Sequence, residues 1–324
     1  MSEKRKITVE KLTENWEIKP WQNVRVTETK HITQILALEH EPKNLLNIRR
    51  IDNDRYVDLR DGEIFDYNHT ENRAQNVAGV KRTIKQIRNI INNNFDGAKN
   101  EIWLTCTYAE NMTDTKKLYE DDKNFKKRLQ YKYGSIDYMT VVEPQARGAW
   151  HTHNLIRFNE HKEIFIKNNE VMQPLWGHGW TMTKRLKDID NIGAYLSAYL
   201  SDLDLGGDND EEYWRIAEGG KKFEIYDKEI EDGNGKKVEK KFAKGARLYL
   251  YPVKFNMYRC SRGIVKPETV IETYAEAKNR IGSSTKAAYR KAIGISAEEK
   301  PLNKIYYEQY NIKRKNVQET KEET

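Results

Sequence analysis

Two β-rich runs joined by a five-residue turn constrain this chain more than any other feature. DYMTVVE (137–143) and AWHTHNLIRF (149–158) flank PQARG, and a link that short returns the second run beside the first as an antiparallel hairpin. Upstream, EIWLTCTY (101–108) alternates well enough to be another strand, and downstream GHGW leads into TMTKRL, a fourth. Thr113 or Asp114 is placed to cap a helix running to about Tyr133. Asp188 or Asp190 is placed to cap another through NIGAYLSAYLSDL. The order strand, helix, strand, strand, strand, helix predicts an α+β fold, with a mainly antiparallel central sheet and helices packed on it.

The flanks are less patterned. VKRTIKQIRNIINNNF places Val80, Ile84, Ile87 and Ile91 on one helical face. ARLYLYPVKF reads as a further strand, and Thr269 to Arg290 as one or two helices. GGDNDEE and EDGNGKK bracket a charged insertion at about 206–240. The expected division is an N-terminal extension (1–45), a main domain (46–266) and a C-terminal helical region with a flexible tail (267–324).

Charge narrows the partners. The 324 residues carry a net charge of +7, and the cations are clustered. No acid lies between Asn72 and Phe95, where Arg73, Lys81, Arg82, Lys85 and Arg88 occur. Lys123, Lys126, Lys127, Arg128 and Lys132 form a second cluster. From Lys236 to Lys266 there are ten bases and one acid. A run of like charge is ordinarily a solvated face; three in one chain favour a surface that tracks phosphates. No apolar run is long enough for a membrane span, and the charged N-terminus has no signal-peptide core. Two cysteines, Cys106 and Cys260, are too few for a disulfide framework. G-x-x-x-x-G-K-[ST] does not occur, which excludes a P-loop ATPase module within the sequence. H-x-E with C-x-x-C is also missing, which argues against a zinc deaminase.

Three features carry chemistry. His151 and His153 are two apart on a strand, so both imidazoles point to one face. Glu143 ends the preceding strand and is brought back beside them by the hairpin. Two imidazoles and a carboxylate suit a divalent ion with open positions for substrate oxygen; the bland alternatives are hydrogen-bonded strand histidines and a Glu143 salt bridge to Arg147 or Arg157. Tyr195 and Tyr199, four apart on a helix, share a face one turn apart. They are either paired nucleophiles or core aromatics.

Together these features resemble the HUH endonucleases, in the form of the rolling-circle replication initiator (Rep) proteins of bacterial plasmids, phages and integrative elements. The strand Leu104-Thr105-Cys106-Thr107-Tyr108 is similar to the family's first motif, and His151-Thr152-His153 to its second. Thr152 stands where a bulky apolar residue is usual. Glu143 matches an upstream third metal ligand. Tyr195 and Tyr199 resemble the two-tyrosine version of the third motif, but Ala198 stands where a lysine commonly precedes the second tyrosine. Wider phrases, VDLRDGEIFDYNHTENRAQN, EPQARGAWHTHNL, KGARLYLYP and YRCSRGI, extend the resemblance over roughly 45–265.

The resemblance implies an RRM- or palm-like nuclease core with peripheral helical extensions. It implies Mg²⁺ or Mn²⁺ on His151, His153 and Glu143, and nicking through a 5′-phosphotyrosine on Tyr199 or Tyr195. The partners it implies are single-stranded or hairpin origin DNA, a host helicase and a host polymerase, in the bacterial cytoplasm. Lys81, Arg82, Lys85, Arg88, Lys126, Lys127 and Arg147 are the expected DNA contacts, with Trp150, Trp176 and Trp180 as candidates for base stacking. A conjugative relaxase or transposase, a hydrolase without a covalent step, and a non-catalytic nucleic-acid-binding module are the alternatives.

Overall fold

The computed structural model describes residues 7–13, 16–40, 48–52, 54–58, 62–66, 77–145, 148–186, 191–197, 200, 202–205, 223–231, 237–252, 255–297 and 300–313. In chain order these form β1 (Ile7–Lys11), β2 (Asn23–Glu28), β3 (Ile32–Leu38), β4 (Ile48–Arg50), β5 (Arg55–Asp58) and β6 (Ile64–Asp66). Then come α1 (Val77–Asn94), β7 (Glu101–Tyr108), α2 (Thr115–Tyr133), β8 (Ile136–Pro144), β9 (Trp150–Phe158) and α3 (Gln173–Trp176). They continue with β10 (Gly179–Lys184), α4 (Ile192–Ser197), β11 (Leu203–Asp204), β12 (Ile225–Glu231), β13 (Lys237–Ala243) and β14 (Tyr258–Cys260). The last are β15 (Thr269–Thr273), α5 (Tyr274–Ile281), β16 (Tyr289–Ala297) and β17 (Lys300–Asn311). The class is α+β with mainly antiparallel sheets, and no described helix is long and apolar enough to cross a membrane.

The chain divides into two compact units, Met1–His69 with Pro267–Thr324, and Thr70–Lys266. In the first, six antiparallel strands run β1-β16-β17-β3-β2-β15. Val24, Val26, Ile35, Ala277 and Tyr310 form its core. The two ends of the chain thus share one sheet, where separate N- and C-terminal extensions were expected. The stretch read as helical over Thr269 to Arg290 is instead β15, α5 and the start of β16. Thr273 caps α5 through a reciprocal box with Glu276.

The second unit is built on a five-stranded antiparallel sheet, β10-β7-β9-β8-β14. Asp114 caps α2 by accepting from the Lys116 and Lys117 amides. Alternation assigns each residue to a face. On the rear face Leu104, Cys106, Asn154, Ile156 and Phe158 meet α2, whose Leu118, Phe125 and Leu129 complete the core. On the front face α1 approaches through Arg157, which donates to the Asn94 carbonyl at 2.7 Å and covers the Phe95 ring.

The charged insertion includes the β12–β13 hairpin, which pairs with β11. The ARLYL stretch, read as a strand, is a 3₁₀ turn over Ala246–Leu250. Its alternation of apolar and polar residues serves to bury Ala246, Arg247 and Leu248.

Candidate active site

The hairpin register builds the front face row by row. Glu143 stands opposite His151 across β8 and β9, and Thr107 stands opposite His151 on the other side. One row along, Val141, His153 and Thr105 are aligned in the same way. Directly opposed residues share a face, so both imidazoles, the Glu143 carboxylate and two threonine hydroxyls occupy one surface. His153 Nε2 is 2.8 Å from Glu143 Oε2, and its Nδ1 is 3.2 Å from Thr105 Oγ1. The His151 and His153 rings lie 6.4 Å apart. Thr152 points rearward into a buried polar cluster, where its hydroxyl accepts from Asn154 Nδ2 at 3.0 Å. That satisfied hydroxyl is why a threonine is tolerated between the two histidines.

Glu143 has a second partner that sequence reasoning missed. The buried Arg247 guanidinium ion-pairs with its other oxygen and donates to the Pro144 carbonyl at 2.9 Å. Burial alone would raise the Glu143 carboxyl; Arg247 and His153 outweigh it and hold it at about 2, below its usual 4.5. Arg247 Nε also donates to the Asp202 carbonyl at 3.2 Å. Tyr251, on the same turn, donates to the Val142 carbonyl at 3.0 Å and reaches the Leu200 carbonyl at 3.5 Å. The turn therefore braces the strand of the carboxylate against the segment that follows α4. The available signal was the single arginine in the apolar run KGARLYLYP.

Among the described residues, no three His, Cys, Asp or Glu groups converge as a ready cation site. The donor types still fit one. With bonds of about 2.1 Å, cis ligands of an octahedral ion stand roughly 3.0 Å apart, and the His153–Glu143 contact is 2.8 Å. The residues fit a divalent ion through that imidazole and carboxylate, with His151 beside them on the same face.

Helix α4 carries Tyr195. It is capped by Asn191, whose Oδ1 accepts from the Ala194 amide at 2.9 Å, and not by the expected aspartates, which fall outside the described residues. Asn92 of α1 accepts from the Gly193 amide at 2.9 Å and donates to Asn191 at 3.0 Å. Gly193 is needed for this approach: a Cβ there would stand 2.5 Å from the Arg88 carbonyl oxygen. Tyr199 lies outside the described residues, and of the Tyr195 side chain nothing is described.

The basic residues separate. Arg82 and Lys85 are exposed on α1, Arg88 is half-buried, and Lys81 lies on the same helix. Lys127 is exposed on α2, the rear-face helix. Arg147 lies outside the described residues. Lys126, expected as a DNA contact, is 3% exposed; its ammonium donates to Asp122 and Asn154 at 2.5 Å each, inside the polar cluster behind the histidines. Its charge is spent on that pair, so it is removed from the DNA-contact set. Trp150 and Trp176 are core residues, whereas Trp180 is exposed.

No curated protein and no solved structure is similar enough to the chain to count as a match. Residues 101–204 match the family model of the replication-associated protein ORF2. That stretch runs from β7 to β11 and includes His151, His153, Glu143, Tyr195 and Tyr199, so the similarity supports a replication initiator of the Rep type.

Proposed function

We propose that this chain initiates rolling-circle replication by nicking and rejoining single-stranded origin DNA through a covalent tyrosine intermediate. The observation that carries the reading is the register row in which Glu143 and His151 face each other, with His153 in contact with the same carboxylate. A divalent ion, Mg²⁺ or Mn²⁺, held by His153, Glu143 and His151 would supply Lewis-acid polarisation of the scissile phosphate. Thr105 orients the His153 ring, and Arg247 fixes the Glu143 carboxylate.

Tyr199 makes the first cut. Its hydroxyl oxygen bonds to phosphorus as the bond to the 3′-oxygen breaks, and the phenolic proton is lost as attack proceeds. The products are a 5′-phosphotyrosyl protein and a free 3′-hydroxyl that a polymerase can extend. The new ester conserves the energy of the phosphodiester, so rejoining needs no ATP. Tyr195 is the second nucleophile, which cuts the regenerated site and releases a circle. The cations of α1 hold the flanking strand.

The test is a denaturing gel after incubation with Mn²⁺ and single strands tiling the protein's own gene and upstream region. A protein–DNA adduct is expected, lost with chelator, in His153→Ala and in the Tyr195→Phe/Tyr199→Phe double variant. A non-catalytic DNA-binding module is the second reading, favoured by the Arg247–Glu143 ion pair that engages one carboxylate oxygen. Tight binding without adduct on any strand would select it.

A further inference from the structure

Trp180 is 55% exposed, unlike the buried Trp150 and Trp176. The register fixes where it sits. Trp180 opposes Thr107, Thr107 opposes His151, and His151 opposes Glu143, so the indole belongs to the same front-face row as the catalytic groups. Two residues on, Met182 is 39% exposed and shares the next row with Thr105 and His153. Thr181, between them, points rearward, is 8% exposed and donates to Asn168 at 3.0 Å. The edge strand is thus anchored from behind while its front carries two apolar side chains in water.

Gly179 sets the closeness. A Cβ there would stand 2.4 Å from the Thr107 carbonyl oxygen, so β10 begins pressed against β7. Strands lie about 4.8 Å apart, which puts the Trp180 backbone roughly 10 Å from that of His151. At about 3.4 Å per stacked nucleotide, that span is some three nucleotides. Only Thr107 and Thr105 intervene in these rows, so no carboxylate repels a phosphate backbone lying across them.

We propose that Trp180, padded by Met182, is a base-stacking subsite that holds one nucleobase of the single strand within about three nucleotides of the scissile phosphate. This rests on the reading of the front face as the DNA-cleaving face. An indole offers any base a π surface, so the subsite positions the strand without selecting its sequence.

The experiment takes the tightest-binding strand of the tiling set and moves a single abasic site along it. Binding is measured by fluorescence anisotropy in metal-free buffer, for wild type, Trp180→Ala and Trp180→Phe. At one position, base removal is expected to weaken wild type about 10- to 100-fold, to leave Trp180→Ala unchanged, and to have an intermediate effect on Trp180→Phe. In Mn²⁺, Trp180→Ala should raise KM for cleavage with little change in kcat. Equal abasic profiles for wild type and Trp180→Ala would overturn the proposal, as would a wild type that binds no single strand. The metal-free arm separates the two readings: position-specific coupling without any adduct in Mn²⁺ keeps the stacking subsite and removes the nuclease.

Discussion

Substituting Glu143 with Gln should flatten the acid sensitivity of the Thr70–Lys266 unit. The folded carboxyl is held at about 2 against 4.5 when free. A folded value below the unfolded one means that the stabilisation is complete above about 4.5 and is lost as pH falls toward 2. The full difference corresponds to about 3 kcal/mol, of which about 2 kcal/mol is gone by pH 3. For a unit of roughly 200 residues, that is a fall of about 4–8 °C in Tm. The assay is thermal unfolding by circular dichroism of wild type and Glu143→Gln at pH 7, 5, 4 and 3. The Tm gap between them should close by about that amount as pH drops. A gap that stays constant would refute the reasoning, because Glu143 would then titrate alike in both states. Arg247→Met supplies the second arm. It leaves a buried carboxylate without its guanidinium, at a cost of about 3–5 kcal/mol, and moves the acid loss to higher pH.

Three further outcomes follow from the same geometry. Lys126→Met strands Asp122 and should cost about 3 kcal/mol in a urea titration, while leaving the salt dependence of DNA binding unchanged. Gly193→Ala forces α4 away from Arg88, so adduct formation should fall with single-strand affinity retained; unaltered adduct yield would show that this contact does not position the tyrosines. Mn²⁺ should raise the Tm of wild type by mass action and leave that of His153→Ala unchanged, a readout independent of cleavage.

What was legible in the sequence is what local physics decides. The alternation of EIWLTCTY and AWHTHNLIRF defines β7 and β9, the short PQARG link places Glu143 opposite His151, and Asp114 caps α2. Contacts between distant segments were not legible. Ile7–Lys11 pairs with Ile293–Ala297, a partnership no local pattern encodes. Arg247 sits 104 positions from Glu143, in a run whose alternation imitates a strand. Lys126 belongs to a helical stripe of cations that looks solvated until the buried Asp122 beside it is seen. Trp180 became distinct from Trp150 and Trp176 only through burial.

The most direct test of the central claim is to identify the residue that becomes joined to DNA. The protein would be reacted with a single strand in Mn²⁺, digested with nuclease and trypsin, and mapped by mass spectrometry. The account predicts a nucleotide mass on the peptide that carries Tyr195 and Tyr199, with Tyr199 modified first and no such peptide from the double phenylalanine variant. Cleaved DNA with that peptide unmodified, or a nucleotide on any other residue, would contradict it.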